Sequence, residues 1–148
     1  MVGVEIDMVV TDSLEAVKLY EKIFDLEIVE ASDLPKGQNE VVFTLYGTRF
    51  HLLDENPPYH LHAPTPEEPV KSVWCNILVK DIKKTYDHAM KGGCKEVQAV
   101  TEPPDYGVSN AVFQDPFGYI WMLHQLHKVV SHEERIRLWE EQNRKEES

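Results

Sequence analysis

The sequence predicts an α+β fold in which one strand–helix–three-strand unit occurs twice and a C-terminal helix follows. Three observations carry this. Asp12 and Asp81 stand 69 residues apart, and each closes an apolar run (VVTD, LVKD) just before residues at helical spacing. Gly47 and Gly118 stand 71 residues apart, and each opens a strand-like run, GTRFHLL and GYIWMLH. Between the two copies, residues 54–70 hold five of the nine prolines. Proline has no N–H to give to a sheet ladder, so this stretch separates two units and has extended character.

The elements follow in order. Residues 4–12, VEIDMVVTD, alternate like a half-buried strand. Asp12 with Glu15 has the spacing of a capping box. Ala16, Val17, Tyr20, Ile23 and Phe24 then give a helix one apolar face. Strands are expected near 26–31, 40–46 and 48–53, broken by Pro35-Lys36-Gly37 and by Gly47. In the second copy KSVWCNILVKD reads as a strand. Asp81 caps a helix with Ile82, Tyr86, Ala89 and Met90 on one face, and Gly92-Gly93 end it. Strands near 95–101, 109–114 and 119–125 complete the unit. The boundaries are module one at 4–56, a linker at 57–70 and module two at 71–126, within a domain of 1–130. Residues 131–148 form an amphipathic helix and tail, with Ser131 and Glu134 as a capping box. Glu133–Arg137, Glu140–Arg144 and Glu141–Lys145 are expected ion pairs, and Ile136 and Trp139 give an apolar edge expected to dock on the domain.

Composition excludes several partners. The chain has 148 residues and a formal net charge of -11. A phosphate backbone needs a positive face, so nucleic acid is excluded, and anionic membranes for the same reason. No window approaches the ~20 apolar residues of a membrane span. Glu5 and Asp7 interrupt the only apolar run near the start, which argues against a secretory segment. Cys75 and Cys94 then read as reduced thiols of a cytoplasmic protein. Cys75 is expected in the core, and Cys94 in a more exposed position.

Asp115-Pro116-Phe117-Gly118 makes a tight turn, and Trp121 and Leu123 anchor the strand that follows. This stretch and VVTDSLEAVKLYEKIFDLEIVE resemble the vicinal oxygen chelate superfamily, the glyoxalase, bleomycin-resistance and extradiol-dioxygenase group, over about residues 4–126. The Phe-Gly-x-x-Trp form is most similar to its PhnB-like branch. The resemblance implies two βαβββ modules forming a curved mixed sheet around a central cup, and a homodimer. It also implies a small-molecule ligand in the cup.

Strand parity then sorts the residues. Ile6, Met8 and Val10, and Val73, Cys75, Ile77 and Val79, form helix-packing faces. The opposite faces place Glu5, Asp7, Arg49, His51, Trp74, Asn76, Met122 and His124 in the cup, with Tyr106 on a loop over its mouth. Asp7 and Arg49 read equally well as solvated rim residues. Glu5 and His51 are the candidate catalytic pair, and the others are candidate ligand-binding residues.

Metal-dependent members use ligands from the first, fourth, fifth and eighth strands. By position the resemblance assigns these slots to Glu5, His51, Trp74 and Met122. An indole nitrogen is only a donor, and a thioether suits soft ions. Two slots of four therefore hold plausible ligands, with Asp7 or His124 as possible substitutes. The preferred expectation is a metal-free protein with no resident cofactor, binding a small organic molecule in a cup lined by Trp74, Met122, His51 and Glu5. The alternatives are a divalent-metal lyase, isomerase or dioxygenase using Glu5 and His51, a metal-free enzyme using either as a base, and an interaction module with a filled cup. His60 and His62 form an H-x-H pair, expected to be exposed in the linker.

Overall fold

The computed structural model describes residues 1–102, 107–127 and 131–147. Module one consists of β1 (Ile6–Val10), α1 (Ser13–Ile23), β2 (Leu26–Ala31), β3 (Glu40–Leu45) and β4 (Thr48–Asp54). Module two repeats the pattern with β5 (Val70–Leu78), α2 (Ile82–Lys91), β6 (Lys95–Gln98), β7 (Val108–Gln114) and β8 (Tyr119–Leu126). The last helix, α3, spans His132–Glu147. The two sheets have equivalent orders, β1-β4-β3-β2 and β5-β8-β7-β6, each with one parallel pair (β1 with β4, β5 with β8). The duplication expected from Asp12, Asp81, Gly47 and Gly118 is therefore a duplication of topology.

Local chemistry fixes the element ends. The Asp12 carboxylate accepts from the Glu15 N–H at 3.1 Å and the Asp81 carboxylate from the Lys84 N–H at 3.1 Å, so both aspartates cap helices. Ser131 caps α3 in the same way, through Glu134. The β3–β4 hairpin turns in two residues, Tyr46 (φ 48°) and Gly47 (φ 87°), the mirror-type geometry that matches strand twist. Gly118 has φ 91°, and a Cβ there would stand 2.9 Å from the Thr65 carbonyl oxygen. Backbone conformation and linker packing thus both require glycine at this turn.

The two modules share one core. Trp121 of β8 lies 5.2 Å from the Tyr20 ring and 5.3 Å from the Phe24 ring, both on or next to α1, and 6.3 Å from Phe50 of β4. Val41, Phe43, Phe50 and Leu52 of sheet one belong to the same buried cluster as Ala111, Phe113, Trp121 and Leu123 of sheet two. Each sheet therefore gives its apolar face to a common interior that contains α1 and α2. The Asp115 carboxylate sits in this interior and accepts from the Tyr20 hydroxyl at 2.6 Å and the Trp121 indole at 2.8 Å. It also accepts from the N–H groups of Phe117 and Tyr119. Burial raises its pKa despite these donors.

Several expectations need correction. The linker contains a 3₁₀ turn at Pro57–Tyr59 and a bridge between Asn56 and Leu61, so it is locally folded rather than extended. Val73 does not pack, because the β5 register shifts between Val70 and Cys75 and leaves it exposed. Cys94 is buried, and burial pushes its thiol up to about 12. The apolar edge of α3 does not dock: Ile136 and Trp139 are exposed. Arg137 pairs with Glu134 at 3.8 Å, one helical step from the expected Glu133. Arg144 donates to the Glu140 carbonyl at 3.4 Å instead of meeting its carboxylate.

Tyr20→Phe removes one donor from a buried carboxylate, and urea unfolding is expected to show a loss of about 1.5–3 kcal/mol. Gly118→Ala is expected to lower stability by at least about 1 kcal/mol. Unchanged midpoints would show that neither contact supports the fold.

Candidate functional site

The outer face of sheet one gathers four of the expected residues. The parallel register sets Asp7 beside His51, and alternation puts Glu5 and Arg49 on the same side. The Arg49 guanidinium is hydrogen-bonded to Oε2 of Glu5. This bond is the main reason the Glu5 carboxyl titrates below its ordinary value, while desolvation opposes it and the nearby charges of Arg49 and His51 assist. Nδ1 of His51 lies 3.3 Å from Oε1 of Glu5 and 3.5 Å from Oδ1 of Asp7. Nε2 of His51 lies 3.2 Å from Oε2 of Glu40, at the start of β3. The register of β3 on β4 sets Val42 beside His51, which carries Glu40 to the same face. The sequence reading missed Glu40. Its signal was the alternation of EVVFTL, but alternation becomes contact only once the β3–β4 register is known.

The outer face of sheet two gathers the others. Asn76 pairs with Met122 and Leu78 with His124 along the β5–β8 ladder. Asn76 is hydrogen-bonded to Nδ1 of His124, and desolvation lowers the His124 pKa. Trp74 is exposed and Met122 half-buried. The inner faces of the two sheets meet in the core, so these outer faces point away from one another within a chain. Glu5, Asp7, Arg49 and His51 therefore form one wall, and Trp74, Asn76, Met122 and His124 form another. Tyr106 lies outside the described residues. An open cleft of about 1020 Å³ lies between the end of α1 and the start of α2 and is lined by none of these eight residues.

The donor set can be tested against a divalent ion. Two ligands bound at about 2.1 Å with angles of roughly 90–110° stand about 3.0–3.4 Å apart. The His51–Glu5 and His51–Asp7 separations, 3.3 and 3.5 Å, are close to this, and all three donor atoms lie within 4.8 Å of one another. A proton on Nε2, donated to Glu40, leaves the Nδ1 lone pair facing the two carboxylates. Arg49 occupies Oε2 of Glu5 and leaves Oε1 free for this arrangement. An imidazole nitrogen and two carboxylate oxygens suit Mn, Fe(II), Ni or Zn and leave open positions for a bound molecule. Asp7 thus offers the group a third donor atom, which an indole or thioether would not. His124 joins no such group, because it lies on the other sheet. His60 and His62 are exposed, and neither joins the cluster.

The duplicated βαβββ topology defines the class of fold, and comparison with known proteins specifies the family. Residues 4–123 match the family model of the Glyoxalase/Bleomycin resistance protein/Dioxygenase superfamily, and the chain belongs to that superfamily. Among solved structures it is similar to the fosfomycin resistance protein FosX from Listeria monocytogenes, in a complex with Mn(II) and sulfate. That match has a TM-score of 0.65 and 14% identity, covering 94% of this chain and 98% of that one. FosX from Mesorhizobium loti gives a TM-score of 0.62 at 17% identity, with 93% and 98% covered. The hypothetical protein SA1046 from S. aureus gives 0.64 at 17%, with 84% and 94% covered. At these identities the likeness is one of fold. No curated protein matches the chain by sequence.

The Glu5 carboxyl is expected to titrate below 4.5 by carbon-detected NMR and to move upward in Arg49→Met. The sign follows from the lowered value: the contribution to stability is full above the unfolded pKa and fades as pH falls through the folded one. A Glu5 value that Arg49→Met leaves in place would rule out the pairing.

Proposed function

We propose that the protein binds a small organic molecule at a divalent-cation site on the outer face of sheet one, held by Glu5, Asp7 and His51. One observation carries this reading: His51 turns Nδ1 toward two carboxylate oxygens at ligand-like spacing while Glu40 engages Nε2. A bound cation would polarise an oxygen of the molecule as a Lewis acid. Glu5 and Asp7 offset the ion's charge. Glu40 holds the imidazole in one orientation and tautomer, and Arg49 holds Glu5. The Mn(II) in the FosX complexes supports the choice of ion. Their phosphonate chemistry does not carry over readily: Arg49 is the only Arg or Lys on β1 and β4, and Glu5 occupies it. The reaction types open to the site are those of the superfamily's lyases, isomerases and dioxygenases.

The Glu5–Arg49 pair favours a second reading. The guanidinium is a built-in cation beside Glu5, which suits a metal-free binding protein or one using Glu5 or His51 as a base. The Phe117-Gly118-x-x-Trp121 form supports placing either version in the PhnB-like branch, and the two free thiols support a reducing, cytoplasmic setting.

Titration with Mn²⁺, followed by the loss of its free-ion spin resonance signal, separates the readings. One ion per chain is expected, with affinity reduced at least about tenfold in Asp7→Asn and His51→Ala, and about 10–100-fold in Glu40→Gln. Equal weak binding by wild type and Asp7→Asn would overturn the cation site and leave the metal-free reading.

A further inference from the structure

Two uncovered surfaces on one chain complement each other. The first is the open cleft of about 1020 Å³ between the end of α1 and the start of α2. Leu78, Leu126 and Tyr46 line it and are 57%, 49% and 59% exposed, so its apolar rim has no cover. The second is the edge of α3, where Ile136 is 46% and Trp139 59% exposed. A helix of 16 residues is marginal in water by itself and takes most of its stability from packing one apolar face. α3 leaves that face open, although it begins at His132, a few residues after Leu126 on the cleft rim. The single chain thus covers neither surface with the other.

Charge decides what fits the cleft. It carries Glu21 and Asp25 from the end of α1, and Lys80 and Lys84 from around the start of α2. None of these four side chains makes an ion pair among the described residues. A polyanion would set like charge against Glu21 and Asp25, and a cationic peptide would do so against Lys80 and Lys84. The edge of α3 carries both signs: Arg135 and Glu140 flank Ile136 and Trp139 at helical spacing. Neither side chain has an ion-pair partner among the described residues, and Arg144 engages only the Glu140 backbone carbonyl. Surface area agrees. A compact monomer of 17.1 kDa exposes roughly 7,800 Å². This chain exposes 9588 Å². The excess of about 1,800 Å² includes the undocked helix and the open cleft, and it exceeds the ~800 Å² that each partner buries in a standard interface.

We propose that α3 of a second copy lies in this cleft, and that the exchange is reciprocal about a two-fold axis. Ile136 and Trp139 of the second copy cover Leu78, Leu126 and Tyr46. Arg135 of the second copy faces Glu21 and Asp25, and its Glu140 faces Lys80 and Lys84. The rotation closes, so neither chain keeps an open cleft or a bare helix edge. Exchange of a terminal element is a low-cost route to a dimer, since each domain keeps its own core. No member of the Glu5, Asp7 and His51 group lines the cleft, so the docking does not depend on whether a cation binds.

Disulfide trapping between two singly substituted chains tests this docking. Ile136→Cys puts a thiol on the helix edge and Leu78→Cys puts one in the cleft. Both positions are exposed, and circular-dichroism melts check that both variants fold. Each variant, their mixture and wild type, which keeps Cys75 and Cys94, are oxidised in a glutathione buffer and run on a non-reducing gel. The mixture is expected to give at least about tenfold more linked species at twice 17.1 kDa than either variant or wild type, because docking raises the effective thiol concentration. Adding Lys80→Glu and Lys84→Glu to the Leu78→Cys chain is expected to lower that yield at least about fivefold at low salt, since Glu140 then meets like charge. Equal yields in the mixture and the single variants would overturn the proposal. A chain carrying both cysteines that closes its disulfide internally and stays at 17.1 kDa would put α3 in its own cleft and overturn the second copy as occupant. A yield that the lysine reversals leave unchanged would overturn the facing of Glu140 with Lys80 and Lys84.

Discussion

The fold depends most on a single buried carboxylate. Asp115 accepts hydrogen bonds from α1, from β8 and from its own turn, and these donors come from both modules. Apolar packing alone would hold the two sheets together without fixing how one sits on the other, because dispersion has little direction. A hydrogen-bonded carboxylate in a low-dielectric interior has direction, and misalignment leaves buried polar groups unpaired. Tyr20 and Trp121 meet at 5.2 Å because both donate to the same group. The turn that begins at Asp115 thus positions the second module on the first.

That arrangement decides where the chemistry lies. Because the inner faces are consumed in a common core, the ionisable residues of β1, β3 and β4 can occupy only the outer face. Carboxylates there remain hydrated and need no burial, so the structure tolerates Glu5, Asp7, Glu27, Glu30 and Glu40 together. Arg49 and His51 draw three of them into contact. The cluster is ordered by side-chain pairing across three strands, and its spacing follows from strand separation and register.

Asp7 gathers with Glu5 and His51 in the first module, their donor atoms within 4.8 Å of one another. The clustered carboxylates belong to the first module, whereas Trp74, Asn76, Met122 and His124 belong to the second.

Much was legible in the sequence. The capping aspartates, the glycines at positive φ and the alternation of β1, β4 and β8 reflect local chemistry, so the elements, their order and the face each residue occupies could be read from residue types alone. Parity put Glu5, Asp7, Arg49 and His51 in one cup with Trp74, Asn76, Met122 and His124, and the structure separates the two sets onto different sheets. Glu40 was not legible, because its approach to His51 depends on the β3–β4 register. Val73, Cys94 and the edge of α3 were misplaced because their burial is set by a bulge, by packing around the end of α2 and by a docking that does not occur. The sequence by itself determined the modules, their faces and the candidate chemistry, since these follow from short-range periodicity. Only the tertiary structure decided that the faces turn away from each other, because that follows from contacts such as Tyr20–Asp115, made 95 residues apart.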